Sequence, residues 1–213
     1  MSQTKVYADI WNEFNDLSKI VFKKSYPKDE AFNVTCAFSI SKEVSSNIKK
    51  ISDELKSKFP GNYYLPKSLY HATICSITKL PKIFDHSLLN KWKEEISEVT
   101  ENFPPFELEV RGINHFHNVL FAQFFSKDER LFDLNKALVE KLNLKIKRNY
   151  APHSTIAYFN SKPDLLFKEI GARYRDYFFG KMKVNSIELV QYDLHPLVEF
   201  YEPKVVKEFA LKK

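Results

Sequence analysis

Tyr150-Ala151-Pro152-His153-Ser154-Thr155-Ile156-Ala157 is the stretch on which the reading of this 213-residue chain turns. It has an upstream echo in Tyr70-His71-Ala72-Thr73-Ile74, so His-x-Thr followed by isoleucine occurs twice, each time in an apolar, β-prone run. With six histidines and as many threonines, a shuffled chain carries about 0.2 such matches, and two arise in about one shuffle in a hundred. His86, His115, His117 and His195 follow no such pattern.

Side chains alternate along a strand, so positions i and i+2 point the same way. His71 and Thr73 therefore share one face, as do His153 and Thr155, with Ser154 and Ile156 turned to the packing side. Pro152 stands where a strand tolerates proline, at its first residue, and it biases Ala151 to an extended shape.

Working outward, the apolar patterning predicts strands at 32–40, 69–77, 106–110, 119–125, 152–159, 184–194 and 200–211. Ser41 caps a helix whose stripe is Val44, Ile48, Ile51, Leu55 and Phe59, stopped at Pro60-Gly61. Asp85 opens another with Leu88, Leu89, Trp92, Ile96, Val99 and Phe103 inward, ended by Pro104-Pro105. A turn is expected at 112–118. Ser126 and Glu129 fit a capping box ahead of Leu131, Leu134, Leu138 and Leu142, and a short helix spans 163–174. At the start, Val6, Ile10, Phe14, Leu17 and Val21 recur at helical spacing, giving an N-terminal accessory helix within 1–26.

The remainder repeats: strand, helix, His-x-Thr strand, helix, strand, twice over. The expectation is an α+β fold, a single bilobal domain over 27–213. Its halves run roughly 30–112 and 118–211, with room for strand exchange. Two pseudo-symmetric antiparallel-rich sheets, helices outside, face each other across a central groove.

Composition bounds the chemistry. The apolar share of 44% and aromatic share of 15% describe a globular chain, and four glycines leave no place for a Gly-x-Gly-x-x-Gly or P-loop phosphate cradle. Net charge +6 and a pI near 9.1 favour encounter with polyanions such as RNA. No leader-like start and no apolar run of about 18 residues give the expectation of a cytoplasmic protein that does not engage a membrane. Cys36 and Cys75 then stay reduced, though a disulfide between them is left open. No serine sits in a Gly-x-Ser-x-Gly elbow, and His115-x-His117 has no cysteine or acid at zinc-ligand spacing. These two histidines are placed on the turn, with His115 or Phe116 near the groove edge.

Two imidazoles and two hydroxyls converging in a groove suit attack on a phosphodiester. One neutral histidine accepts a proton while the other, protonated, donates to the departing oxygen, and an ordinary pKa near 6.5 lets both forms coexist. The threonines serve the non-bridging oxygens. No metal or other cofactor is called for. Tyr63, Tyr64, Phe116 and Tyr150 are candidates to stack on a base, and Lys67, Lys147 and Arg148 to approach a phosphate.

At these residues the chain resembles the two-histidine (2H) phosphoesterase superfamily, which includes the 2′-5′ RNA ligase-like proteins and the cyclic phosphodiesterases. The family motif, His-x-Thr/Ser and an apolar residue, reads here His71-Ala72-Thr73-Ile74 and His153-Ser154-Thr155-Ile156. The flanking Ala151-Pro152 and Ala157 are similar to the fuller Pro-His-x-Thr-Leu-Ala form. Residues 106–125 look like the family's inter-lobe segment and 184–211, with Tyr201, like its closing strands. Two features depart: the helix before Phe32, and Tyr158-Phe159, where many members carry a basic residue. The resemblance implies a metal-independent phosphodiesterase acting on 2′,3′-cyclic phosphate or 2′-5′ linked nucleotides or RNA ends; separately, a monomer is expected. The competing expectation is a non-catalytic RNA-binding module with the same groove. A third is an interaction protein docking through the N-terminal helix. Which histidine is base and which acid stays open.

Overall fold

In the computed structural model, described over residues 3–14, 31–81, 86–116, 119–145, 150–159, 164–194 and 203–212, the chain begins with α1 (Gln3–Phe14), β1 (Ala31–Ser39), α2 (Lys42–Lys58), β2 (Tyr63–Tyr64) and β3 (His71–Pro81). It continues with α3 (His86–Thr100), β4 (Phe106–Phe116), β5 (Val119–Ser126), α4 (Arg130–Lys141) and β6 (His153–Tyr158). The last elements are α5 (Asp164–Arg173), β7 (Phe178–Val184), β8 (Ser186–Leu194) and β9 (Lys204–Ala210). A 3-10 turn, Lys67–Leu69, leads into β3.

The strands pair antiparallel in two sheets, ordered β3-β1-β8-β9 and β2-β6-β5-β4-β7. The fold is α+β, two antiparallel sheets flanked by helices about a central groove, and the motif strands β3 and β6 approach each other there, one from each sheet. The chain's last two strands return to the sheet of its first, while β4 and β7 complete the other.

The helices cross as well. α2 leaves β1 yet lies on β7 and β6 of the other sheet, and α4 leaves β5 yet lies on β3, with α3 against α4 and β9. Their apolar spacing is what fixes this: α2 buries Val44, Ile48, Ile51 and Leu55, and α4 buries Leu131, Leu134 and Leu138. Each such side chain contributes roughly 1.5–3 kcal/mol. Ser41 Oγ accepts from the Val44 N–H at 3.4 Å, the expected cap.

Four local expectations are corrected. Residues 112–116 are strand, because Gly112, at φ 74°, takes up a register shift between Val110 and Ile113 and β4 runs on to Phe116. A Cβ at Gly112 would stand 2.2 Å from Gln123 Nε2 and 2.3 Å from the Arg175 carbonyl oxygen, so only glycine fits. The Ser126/Glu129 capping box does not form: Asp128 accepts from the Arg130 N–H at 3.1 Å, and the Ser126 N–H is taken by Gln3 Oε1 at 2.9 Å. β7 is a strand that the patterning missed, since Phe179 and Gly180 are buried side by side and break the alternation. Among the described side chains of α1 the fully buried one is Tyr7, with Trp11 packed on the core. Val6 and Ile10 are only half-buried, because the floor beneath the helix carries polar groups that a phenol can meet and an aliphatic side chain cannot. Leu17, Val21, Asp85, His117, Lys147, Arg148, His195 and Tyr201 lie outside the described residues.

Cys36 and Cys75 stand opposite each other in the β1–β3 register as buried free thiols. The Cys36 thiol is pushed up by its hydrogen bond with Cys75 and by burial.

Candidate active site

β3 and β6 carry the same irregularity in the same place. In β3, Ala37 faces Thr73 and the next residue, Cys36, faces Cys75, so Ile74 is extra. In β6, Phe121 faces Thr155 and Leu120 faces Ala157, so Ile156 is extra. Such bulges re-aim the residues beyond them. His71 and Thr73 are half-buried with Ala72, Ile74 and Cys75 buried; His153 and Thr155 are half-buried with Ser154, Ile156 and Ala157 buried. The extra residue brings Ser76 and Tyr158 to the same face as the histidines, where plain alternation would have turned them away. Each bulge carbonyl finds a donor from outside its own ladder: Asn135 Nδ2 of α4 reaches the Ile74 carbonyl at 2.8 Å, and the Leu65 N–H reaches that of Ile156 at 2.9 Å.

The imidazoles are held alike. His71 Nδ1 lies 2.8 Å from the Leu69 carbonyl and His153 Nδ1 lies 2.7 Å from the Ala151 carbonyl, in both cases two residues upstream. A carbonyl only accepts, so each Nδ1 carries the proton and each Nε2 keeps a lone pair. Burial lowers the pKa of His71 against the rise from its Leu69 bond. His153 is lowered by burial too, and further by the charge His71 bears when protonated, with its Ala151 bond opposing. The two rings therefore sense each other across the groove.

Aromatic side chains wall the site. The Tyr192 ring of β8 lies 5.2 Å from that of His71. Phe116 stands edge-on to His153 at 5.0 Å, and Phe121 packs on it at 4.9 Å. The Thr155 hydroxyl hydrogen-bonds the Tyr158 phenol, whose pKa burial nonetheless raises.

The structure thus brings His71, His153, Thr155, Phe116 and Tyr150 around the paired motifs, with Thr73 on the same half-exposed face of β3 as His71. Tyr150 is no free stacking ring: its hydroxyl donates to the Thr73 carbonyl at 3.1 Å and its ring meets Phe132 edge-on at 5.7 Å. Tyr63 lies in β2 opposite Tyr158. Tyr64 is buried in the core beside it, its hydroxyl on the Phe59 carbonyl at 3.3 Å. Lys67 is engaged by Ser46 of α2 at 2.6 Å. His115 is fully buried, beside Trp11 with ring centroids 5.1 Å apart, so it does not reach the groove edge. Sequence reasoning missed Tyr158, Tyr192, Phe121 and Asn135. Tyr158 was hidden by the bulge, and Tyr192 and Asn135 sit far along the chain with no motif to mark them.

The fold, two antiparallel sheets with the His-x-Thr strands β3 and β6 at their junction, is that of the 2H phosphoesterases, the LigT-like superfamily. The chain belongs to the 2′-5′ RNA ligase superfamily, whose profile matches residues 41–196. It is 25% identical over 185 residues to the RNA 2′,3′-cyclic phosphodiesterase of Aquifex aeolicus (strain VF5), covering 82% of this chain and 94% of that protein. The Thermus thermophilus protein TT0787 superposes with a TM-score of 0.67 at 18% identity, over 84% of this chain and 98% of that one. E. coli LigT complexed with 3′-AMP superposes with a TM-score of 0.62 at 13% identity, over 87% of this chain and 100% of that one. No helix among the described residues is long and apolar enough to cross a membrane.

Proposed function

We propose that this protein is a metal-independent phosphodiesterase that hydrolyses 2′,3′-cyclic phosphate or 2′-5′ linkages in nucleotides or at RNA ends, with His71 and His153 as general base and general acid. The observation that carries this reading is the matched tethering of both rings through Nδ1, which leaves two Nε2 atoms of one tautomer available to a substrate. One neutral Nε2 takes a proton from water as its oxygen attacks phosphorus. The other, protonated, gives its proton to the ribose oxygen that leaves, so no metal is needed to balance charge. Thr73 and Thr155 hydroxyls donate to the non-bridging oxygens, where charge builds.

The family membership supports phosphoester chemistry, and the Aquifex relative's name supports the cyclic-phosphate branch of it. Tyr192 and Phe116, each against one of the histidines, offer flat apolar walls to a nucleoside.

The deciding experiment offers the protein 2′,3′-cyclic mononucleotides, a 2′-5′ linked dinucleotide and a cyclic-phosphate-ended RNA, with and without EDTA, and identifies products. Hydrolysis undiminished by EDTA and abolished in the His71→Ala/His153→Ala double variant is expected. Turnover that depends on added metal would sink the mechanism. Salt-sensitive RNA binding with no product after long incubation would favour the binding-module reading instead.

A further inference from the structure

α1 lies outside the matched family region of 41–196, and the proton transfers above make no use of it. Among its described side chains the fully buried one nevertheless ends at the second motif. Tyr7, 2% exposed, directs its hydroxyl at the carbonyls of Phe124, at 2.9 Å, and Pro152, and accepts from the Phe124 N–H at 3.3 Å. The last β5–β6 pair is Gln123 with His153, and one step beyond it the Phe124 N–H reaches the Pro152 carbonyl at 3.2 Å, so the phenol is the second donor on that carbonyl. The Pro152 carbonyl belongs to the peptide that joins Pro152 to His153. One residue before it is the Ala151 carbonyl that receives the His153 Nδ1 proton.

The helix is pinned so that the phenol cannot drift. Asn114 Nδ2 donates to the Tyr7 carbonyl at 2.8 Å, and the Ser126 N–H donates to Gln3 Oε1 at 2.9 Å. The Tyr7 ring packs on Phe125 at 5.0 Å and Phe121 at 6.5 Å, and Phe121 is the ring that packs on His153. Burial drives the phenol's pKa far up, so it remains a donor at any working pH.

We propose that Tyr7 is a positioning residue for His153: by holding the Pro152 carbonyl it sets the Ala151 carbonyl against Nδ1 and keeps the ring in the Nδ1–H tautomer with Nε2 toward the groove. The carbonyl that tethers His71 belongs to the Lys67–Leu69 turn, so the two matched tethers rest on unlike elements and only that of His153 adjoins a contact of α1. The proposal rests on the proton-transfer role given to His153, but the ring geometry it predicts can be read with no substrate present.

The test is long-range ¹H–¹⁵N spectroscopy of the imidazoles in full-length protein at pH 8, for the wild type, Tyr7→Phe and Gln3→Ala. The wild type is expected to show His71 and His153 both as Nδ1–H. In Tyr7→Phe, His153 moves toward a tautomer mixture while His71 does not, and kcat falls about tenfold with KM little changed. Gln3→Ala loosens the same helix without touching the Pro152 carbonyl, and is expected to lower Tm yet leave His153 alone.

An unmoved His153 in Tyr7→Phe overturns the proposal. So does a change shared equally by His71, or one matched in Gln3→Ala, since either marks general loosening. If Tyr7→Phe does not fold, the wild type decides: a slowly exchanging Tyr7 hydroxyl proton with a cross-peak to the Phe124 amide is expected, and its absence overturns the proposal. A His153 tautomer shift in a protein that cleaves none of the phosphodiesters would support the positioning role while refuting the proposed function.

Discussion

The phenol of Tyr150, beside the second motif, donates to the backbone carbonyl of Thr73, inside the first, at 3.1 Å. Burial holds that phenol well above its ordinary pKa, so the bond persists across the neutral range. It ties the strand segment ahead of β6 to β3, and with it the two half-sites. Tyr150→Phe removes the donor and little else. A loss of about 1 kcal/mol is expected, a Tm lower by about 2–4 °C for a chain of this size. Turnover should fall by more than that stability loss alone explains, because the half-sites lose their register. Thermal unfolding and steady-state kinetics on the same preparation check this.

Proton transfer needs one imidazole neutral and one charged. Burial lowers both pKa values from 6.5, and His153 is lowered further by His71. The bell-shaped kcat/KM profile should therefore centre below pH 6.5. In His71→Ala the repulsion is gone, and NMR titration should find the His153 pKa moved back up. A His153 titration indifferent to that substitution would mean that the rings do not sense each other.

The single variants His71→Ala and His153→Ala should each lower turnover by about 10²–10⁴-fold without unfolding the protein. Thr73→Val and Thr155→Val keep side-chain shape and remove only the hydroxyl. Each is expected to lower kcat by about 10²–10³-fold with a much smaller change in KM. An equal rise in KM with kcat preserved would reassign the threonines to ground-state binding.

His115 predicts a pH dependence of stability. Burial, with Arg175 nearby, drives its pKa from 6.5 down to about 3 in the folded protein. Above pH 6.5 neither state binds the proton. Between 6.5 and about 3 the unfolded chain binds it and the folded chain does not, so stability falls as pH falls, at up to about 1.4 kcal/mol per pH unit for the one group. His71 and His153 act in the same direction. Calorimetry from pH 7 to pH 4 should show Tm declining, and His115→Gln should flatten that decline.

Gly112→Ala should be among the most damaging small substitutions. The left-handed backbone at φ 74° costs about 1–3 kcal/mol for a non-glycine residue. The new Cβ would also meet the Arg175 carbonyl oxygen at 2.3 Å, which is backbone and cannot swing aside. Gln123, the other neighbour it would strike, pairs with His153 in the ladder. Soluble yield and Tm should both drop, with activity lost in whatever folds.

Much of the site is legible in the spacing of residues along the chain. Period-two alternation is local, so His71 with Thr73 and His153 with Thr155 follow from it, as do the buried Ala72, Ser154 and Ile156. The stripes of α2 and α4 are legible for the same reason. Tyr158 is not, because a bulge depends on how two strands pair and a single strand's pattern carries no record of it. Tyr7 in α1 was not legible for a related reason: apolar spacing favoured Val6 and Ile10, which are half-buried, while the surface that receives the helix presents polar backbone to the phenol.

What the sequence determined by itself is the pair of His-x-Thr-Ile motifs on β-prone runs, since a repeated motif and its alternation require only local periodicity. Tertiary structure alone decided how they meet. The return of β8 and β9 to the first sheet, the crossed packing of α2 and α4, the matching bulges at Ile74 and Ile156, and the phenols of Tyr150 and Tyr7 are all contacts between residues far apart in the chain. Their energies come from packing and hydrogen bonds that exist only once both partners are in place.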